Sequence, residues 1–405
     1  MRTESFKRKW IHWSNSLEPL WSFILFGLIG ITFLVSDWLG GILSFSDYLI
    51  ALIVVFMGLI GQLEVKKNQI LWLMIPVLLV IANILFHSLY TEEFSWKLGV
   101  SSLIKVIGYE LFVVFIYNYI DRHSKEKQFF QVLNWVAVVA CVIGIYITVA
   151  LYSDGMLPYR FFWDFTRYDI YSYMFESNPA IIRTRGLFSE PAHLGFFLNM
   201  ILALNYFNNQ KVKIHWCFSL IITATIFMTF SYSMIGIMIM IQVFKIIQLG
   251  MNHNILWHHS YWLVIIGCFA LIFFFREFIQ VTLLDRTLAL INGTDVSARM
   301  RIIESWQYIH ANRIFSGNGI GHTPVITNIY AYLLSDLGIA AFIGGLCYTF
   351  VILKKNLFFG LVFTILNISR GGYLGPAFWL LILVSMLAVK PDTYRTSSKK
   401  TSIKF

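Results

Sequence analysis

The stretch Phe129–Leu151 reads FFQVLNWVAVVACVIGIYITVAL and decides the fold class. Its 23 residues include no charged side chain, and a helix of that length extends about 35 Å at 1.5 Å per residue. The hydrocarbon core of a bilayer is about 30 Å thick, so such a helix is long enough to cross it. We therefore predict a transmembrane helix here.

Segments of the same kind recur along the chain, and we predict an all-α polytopic membrane protein with about twelve transmembrane helices in a single domain, residues 1–405. The predicted spans lie near 20–37, 42–61, 70–87, 98–120, 129–151, 191–207, 214–231, 234–250, 261–279, 326–353, 356–369 and 373–389. The first span follows a basic segment and is too long for a signal-peptide core, which predicts a retained signal anchor.

The composition agrees with this class. Hydrophobic residues make up 58% of the chain, charged residues 13%, and the mean hydropathy is +0.70. Soluble domains are about 45–50% apolar and about 25% charged, so an ordinary soluble protein is excluded. A net charge of +10 would usually indicate a nucleic-acid partner, but what the basic residues bind depends on where they lie along the chain.

The basic residues divide by side of the membrane. With both termini in the cytoplasm, the short cytoplasmic loops hold most of the charge, as the positive-inside rule requires. Fifteen of the 19 basic residues on that side are Lys, whereas ten of the 11 on the outer side are Arg. Because the Arg fork grips phosphate or carboxylate bidentately, the outer Arg set predicts recognition of an anion. The alternative is that these Arg pair with nearby acids: Asp154, Asp164, Asp169, Glu176, Glu277, Asp285 and Glu304.

Two predicted extracytoplasmic loops, 153–190 and 280–325, are longer than a connection needs. Long loops in a compact architecture are usually functional. Both are rich in aromatic residues and Arg, so we predict one extracytoplasmic site built from the two loops. Nucleic acid is not an expected partner.

The first loop ends in a cluster of polar residues at a helix start. The candidates for function there are Arg183, Arg185, Glu190 and His193. Polar groups at a membrane interface are costly unless they are used. The alternative is a well-made helix start, with Ser189 as its N-cap and Pro191 in its first turn.

The second loop contains a predicted amphipathic helix with Asp295 as its N-cap. At about 100° per residue, one face holds Val296, Met300, Ile303 and Trp306. Arg299 falls in the middle of that face and should be directed into the protein. Arg301 falls nearly opposite, where it should pair with Glu304.

A glycine-rich turn, 315–324, follows and carries His322. Its glycines permit close backbone approach and can present N–H groups to an anion. Asn328 and Tyr330 then open the helix that carries Asp336. Intramembrane charges, Lys105 and Glu110 with Asp336, are expected either to pair or to form a translocation path.

The order of these motifs resembles the bacterial O-antigen polymerase and O-antigen ligase superfamily. The resemblance covers roughly 180–345: Arg-Gly-Leu-Phe-Ser-Glu-Pro from Arg185, Ser-x-Arg ending at Arg299 with Trp306 seven residues later, and Gly-x-Gly-x-Gly from Gly317. Asn-x-Tyr from Asn328 and the pair Asp336 and Gly338 complete it.

The resemblance implies a metal-independent, GT-C-like glycosyltransferase of the bacterial inner membrane. Such an enzyme would polymerise undecaprenyl-diphosphate-linked repeat units into lipopolysaccharide O-antigen, capsule or exopolysaccharide. Donor and acceptor would be lipid-linked glycans, and a chain-length regulator and a flippase would be pathway partners. Arg183, Arg185, Arg299 and Arg301 would bind the diphosphate; Asn328 and Tyr330 would lie at the acceptor side. No cofactor is implied, and the four cysteines, all in predicted spans, form no metal or disulfide pattern.

Two questions stay open at the level of sequence. The base that takes the acceptor proton is Glu190, His193 or His322. Ligase-type members carry His directly before the Asn of the late span, where this chain has Thr327, and this favours a polymerase over a ligase. A polysaccharide or lipid-linked-oligosaccharide transporter is the alternative from another class, although the internal repeat typical of transporters is not evident.

Overall fold

The computed structural model describes residues 20–41, 43–153, 156–174, 180–251, 280 and 285–391. Within these ranges the chain is mainly helical with almost no sheet, which confirms the all-α class. A short antiparallel hairpin, β1 (Leu39–Gly40) with β2 (Leu43–Ser44), is the exception. The helices are α1 (Leu20–Leu34), α2 (Phe45–Leu59), α3 (Lys67–Tyr90), α4 (Trp96–His123), α5 (Glu126–Tyr152), α6 (Pro191–Phe207), α7 (Trp216–Met228), α8 (Tyr232–Met251), α9 (Asp285–Ile291), α10 (Val296–Ile302), α11 (Ile329–Leu337), α12 (Ile339–Lys355), α13 (Leu357–Ser369) and α14 (Pro376–Ala388).

Eleven of the twelve predicted spans contain a helix, and the span predicted at 261–279 lies outside the described residues. Within the described ranges, four helices are long and apolar enough to cross a membrane by length and composition: α3, α4, α5 and α8. The chain therefore has the helices of a membrane protein. The number of spans and the side on which each loop lies stay predictions.

The predicted span 326–353 is two helices, which is a correction to the sequence analysis. α11 ends at Leu337 and α12 begins at Ile339, with Gly338 at φ 84° and ψ −173° between them. A Cβ on Gly338 would lie 2.1 Å from the carbonyl oxygen of Phe315. The break follows from this close approach of the second loop, which hydropathy along a single segment does not reveal.

Helix α6 is the centre of the bundle. It is buried along nearly its whole length and packs against α5, α7, α8, α13 and α14. A helix that is hydrophobic on all sides suits either a buried position or a membrane span, so packing against its neighbours decides the place of α6. α3 is equally apolar but mostly exposed, as expected for a helix whose outer surface faces lipid.

The intramembrane charges do not pair as predicted. The ammonium of Lys105 on α4 lies 3.7 Å from Asp47 Oδ2 on α2, and Tyr109 also donates to the Asp47 carboxylate. Asp336 bonds to a different part of the chain, described below. Lys105 therefore ties α4 to α2, and the prediction of a pair with Asp336 is wrong.

Candidate functional site

The first cluster of polar side chains surrounds the carboxylate of Asp37, which follows the end of α1. Its Oδ2 accepts hydrogen bonds from the backbone N–H and the hydroxyl of Ser189, both at 2.9 Å, and lies 2.7 Å from His193 Nδ1. Its Oδ1 lies 2.7 Å from Nη2 of Arg370, in the connection between α13 and α14. We call these four residues the Asp37 cluster: Asp37, Ser189, His193 and Arg370.

The start of α6 places two members of this cluster. Glu190 is the N-cap, its side chain makes no capping bond, and Pro191 occupies the first turn. The predicted capping role of Ser189 is therefore wrong, because its hydroxyl bonds to Asp37 and lies 3.0 Å from His193 Nδ1. An anionic carboxylate beside the N-terminus of a helix is also favoured by the helix dipole.

Asp37 is a buried anion. Burial alone would raise the pKa of its carboxyl, but the neighbouring His193 and Arg370 and the donated hydrogen bonds hold that pKa well below its usual range. Asp37 is therefore ionised at neutral pH, opposite a permanently charged guanidinium. Nη1 of Arg370 is buried and has no hydrogen-bond partner among the described residues.

Arg185 lies beside this cluster with its side chain inside the protein. Residue Arg185 is 1% exposed, and its guanidinium carbon lies 3.7 Å from the centroid of the Trp163 ring. Nη1 donates to the carbonyl of Ser189 at 2.8 Å, and Nη2 donates to the carbonyl of Arg167. Burial lowers the pKa of Arg185 to about 10, so it stays charged at neutral pH. Its Nε is buried without a hydrogen-bond partner among the described residues.

Glu190 is engaged in an exposed ion-pair network. Its Oε1 lies 2.8 Å from Nη1 of Arg167, whose Nε lies 2.8 Å from Asp169 Oδ2. The hydrogen bond from Arg167 lowers the pKa of the Asp169 carboxyl. For Arg167, the alternative reading that an Arg pairs with a nearby acid is therefore confirmed. Arg183 is partly buried, and its Nε donates to the carbonyl of Thr229 at 3.4 Å.

The two arginines of the second loop have environments opposite to those predicted. Arg299 Nε lies 2.7 Å from Glu304 Oε1, and the Arg299 side chain is 54% exposed, whereas Arg301 is partly buried. The prediction of helix faces from a period of about 100° per residue was wrong because α10 ends at Ile302. The chain then continues as a 3-10 turn, Glu304–Trp306. A single helical period carried past Ile302 assigned these side chains to the wrong faces.

The glycine-rich segment is held by buried side chains. Asp336 Oδ2 accepts from the N–H of Gly321 at 2.9 Å and from the hydroxyl of Tyr373 at 2.5 Å, and Oδ1 accepts from the N–H of Thr323 at 3.3 Å. Asn83 on α3 accepts from the N–H of Ile320 at 2.9 Å. These three N–H groups are satisfied within the protein, so they are not open to a bound anion.

His322 is fixed at both ring nitrogens. Nε2 accepts from the N–H of Ser95 at 2.8 Å, and Nδ1 lies 3.0 Å from the carbonyl oxygen of Ile320. The ring also stacks on Phe94 with centroids 4.6 Å apart. The structure thus places His322 in the packing between the glycine-rich segment and the start of α4.

Asn328 and Tyr330 lie at the start of α11, as predicted. Asn328 is the N-cap, and its side chain accepts from the N–H of Tyr330 at 3.0 Å and of Ala331 at 3.4 Å. The Tyr330 hydroxyl lies 2.9 Å from Thr349 Oγ1 on α12, in the interior. Both side chains stabilise the α11–α12 hairpin.

The connection between α13 and α14 joins the two regions. It carries Arg370 in the Asp37 cluster and, three residues later, Tyr373 against Asp336. Between them, a Cβ on Gly371 would lie 1.4 Å from the carbonyl oxygen of Ile326. Since only glycine permits this approach, the end of the second loop packs directly on the connection.

Asp37, Arg370 and Trp163 belong to the candidate site, although no sequence motif singles them out. Arg370 belonged to the outer Arg set, and the available signal for Asp37 was a lone acid at the end of the first predicted span. Neither observation identifies the pair, because the two residues are 333 positions apart.

No group of three or more His, Cys, Asp or Glu able to hold a metal ion occurs in the part of the chain that the structure describes. No protein-family profile matches the sequence, and no curated protein or solved structure matches it either. The resemblance to the O-antigen polymerase and ligase superfamily therefore rests on the motifs themselves.

Proposed function

We propose that the protein polymerises undecaprenyl-diphosphate-linked oligosaccharide repeat units at the outer face of the bacterial cytoplasmic membrane. The observation that carries this proposal is a pair of buried guanidinium groups, Arg185 and Arg370, at the start of α6. Each keeps one nitrogen without a hydrogen-bond partner among the described residues. Buried donors are rarely left unsatisfied, so an anionic ligand is the natural partner.

The geometry supports a lipid-linked donor. The start of α6 lies beside long apolar helices that suit a polyprenyl chain in the surrounding lipid. The diphosphate would contact Arg185 and Arg370, with Arg183, Arg299 and Arg301 proposed as further contacts from the loops. Such cations stabilise the negative charge that develops on a leaving diphosphate. Glu190, His193 and His322 are the proposed bases for the acceptor hydroxyl, and Asn328 and Tyr330 belong to the proposed acceptor side.

The test is a chain-growth assay with purified protein and undecaprenyl-diphosphate repeat units, without nucleotide sugar. We expect a ladder of longer lipid-linked chains. Arg185→Ala and Arg299→Ala should each lower the yield at least tenfold, whereas Arg122→Ala should not. Arg122 is a matched control because it is exposed and pairs with Glu64, away from α6. A ladder unchanged in both test variants would contradict the diphosphate site.

A ligase is distinguished by its acceptor. A ligase would transfer the glycan to a second lipid acceptor and would make no ladder from repeat units alone. Thr327 stands where ligase-type members carry His, and this supports the polymerase.

One observation favours a transporter as the second candidate. Gly338 interrupts the α11–α12 segment two residues after the buried Asp336, and discontinuous helices with polar residues are typical of transporters. Asp336 is satisfied by the glycine-rich segment and Tyr373, and this weighs against a substrate site there. Flux of lipid-linked substrate across proteoliposomes without chain growth would establish the transporter.

A further inference from the structure

We propose that His193 is the general base of the reaction and that Asp37 is its positioning residue, a role that rests on the proposed polymerase function. The proposal assigns the base among three candidates and adds Asp37, which no sequence motif marks.

The hydrogen bonds to Asp37 determine which nitrogen of His193 is available. Nδ1 lies 2.7 Å from Asp37 Oδ2, and a carboxylate can only accept, so Nδ1 carries the proton. Nε2 then has a free lone pair, and no described residue bonds to it. The side chain is 28% exposed, so Nε2 can reach a substrate. A buried carboxylate that fixes the tautomer of an imidazole is the arrangement that prepares a histidine to accept a proton.

The other two candidates lack this arrangement. His322 uses both ring nitrogens in bonds to Ser95 and Ile320, so it has no lone pair for a substrate proton. Oε1 of Glu190 lies 2.8 Å from Nη1 of Arg167, so this carboxylate is already engaged in an ion pair and has no partner among the described residues that would orient it toward a substrate proton.

The charges around His193 favour the transfer of a proton to its Nε2. Asp37 and Arg370 balance each other, Ser189 supplies neutral donors, and Glu190 is neutralised by Arg167. Protonation of Nε2 therefore produces an imidazolium beside an anion. Nε of Arg185 and Nη1 of Arg370, which have no hydrogen-bond partner among the described residues, are left for the diphosphate.

The reaction balances with these groups alone. The acceptor hydroxyl oxygen forms a bond to the anomeric carbon of the donor, and its proton goes to His193 Nε2. The bond from that carbon to the diphosphate oxygen breaks, and the electron pair leaves with undecaprenyl diphosphate. Water then removes the proton from Nε2 before the next addition.

The experiment compares chain growth, substrate retention and chemical rescue in the full-length protein, with the undecaprenyl-diphosphate repeat unit as the probe. His193→Asn should slow chain growth at least about 100-fold, the usual contribution of a general base, while retaining the probe. Asp37→Asn should have a comparable effect, because an amide NH₂ facing Nδ1 favours the tautomer with its proton on Nε2. His215→Asn, at the start of α7, is the matched control and should keep the wild-type rate.

Chemical rescue by imidazole distinguishes a histidine that accepts a proton from one that only stabilises the fold. Free imidazole should restore chain growth in His193→Gly, because that variant keeps the Asp37–Arg370 pair and leaves space beside Asp37. This measurement keeps the proposal testable even if Asp37→Asn fails to fold. The acidic limb of the wild-type pH–rate profile should also disappear in His193→Asn.

The outcomes are distinct. A wild-type rate in His193→Asn, no imidazole rescue, or loss of chain growth in Glu190→Gln in place of His193→Asn would each overturn the base assignment. Wild-type activity in a folded Asp37→Asn would overturn the positioning role. If the wild-type protein makes no ladder, the proposed function itself fails and this assignment falls with it, whereas failure of the base assignment alone leaves the wild-type ladder intact.

Discussion

Asp37 and Arg370 form a buried ion pair, with Arg370 Nη2 2.7 Å from Asp37 Oδ1 although 333 residues separate them in the chain. The pair fastens the end of α1 to the connection between α13 and α14, beside the start of α6. Removing one partner of such a pair leaves an uncompensated buried charge, which is far more costly than removing both.

The first prediction concerns this pair. Asp37→Asn and Arg370→Gln should each lower the free energy of unfolding by about 3–5 kcal/mol. The double variant should lose clearly less than the sum, because neither charge is then left unpaired. Unfolding in detergent micelles, followed by circular dichroism, measures all three. Strict additivity would show that the two residues do not interact.

The second prediction is a pH dependence. The pKa of Asp37 is lower in the folded than in the unfolded protein, where it is about 3.9. Its contribution to stability is therefore complete above about pH 4 and is lost as the pH falls through the folded pKa. The difference in Tm between the wild type and Asp37→Asn should be largest at neutral pH and shrink below about pH 4. Asp169→Asn, an exposed control, should show little difference at any pH; a constant difference for Asp37→Asn would contradict the prediction.

The third prediction tests the break between α11 and α12. Gly338→Ala should destabilise the protein strongly, because the new Cβ would meet the carbonyl oxygen of Phe315 at 2.1 Å and the backbone has a positive φ. Gly344→Ala is the control in α12, where a Cβ meets nothing within 4 Å. There the better helix propensity of Ala should stabilise by up to about 1 kcal/mol. Tm values of the two variants measured side by side should move in opposite directions.

The fourth prediction concerns the hydrogen bond between Tyr373 and Asp336. Tyr373→Phe removes a hydrogen-bond donor to the buried side chain of Asp336 and should cost about 1–3 kcal/mol, the usual range when a buried polar group loses a partner. The measurement is again the free energy of unfolding. Tyr171→Phe, at an exposed tyrosine, is the control and should change it by less than about 0.5 kcal/mol. Equal effects would show that Tyr373 does not hold Asp336.

The fifth prediction compares how much two arginines, one exposed and one buried, contribute to stability. Arg299 is exposed in its pair with Glu304, and such pairs contribute about 0–1 kcal/mol, so Arg299→Ala should leave Tm almost unchanged. Arg185→Ala should lower Tm markedly, because two hydrogen bonds to carbonyls and the contact with Trp163 are lost. Comparable Tm losses would contradict the burial of Arg185.

The helices were predictable because lipid as a solvent demands long apolar segments, and this demand acts on each segment separately. Phe129–Leu151 lies inside α5, and the predicted span 191–207 coincides with α6. The break at Gly338 was not predictable, since it depends on the carbonyl of Phe315 approaching from another part of the chain.

The candidate site was predictable only in part. Local clustering pointed to Arg185, Glu190 and His193, which do lie together near the start of α6. The environments of Arg299 and Arg301 were interchanged because α10 ends at Ile302, one turn sooner than the hydrophobic pattern indicated. A period identifies a face only for as long as the helix continues.

By itself, the sequence determined the class of this protein and the positions of its helices, because hydropathy and helix propensity are properties of neighbouring residues. Only the tertiary structure decided which polar groups meet. Asp37 becomes the centre of a cluster because the packing of α1, α6 and α13 brings the ends of these helices together. In the low dielectric of the protein interior, the ion pair with Arg370 and the hydrogen bond that orients His193 are stronger than they would be in water.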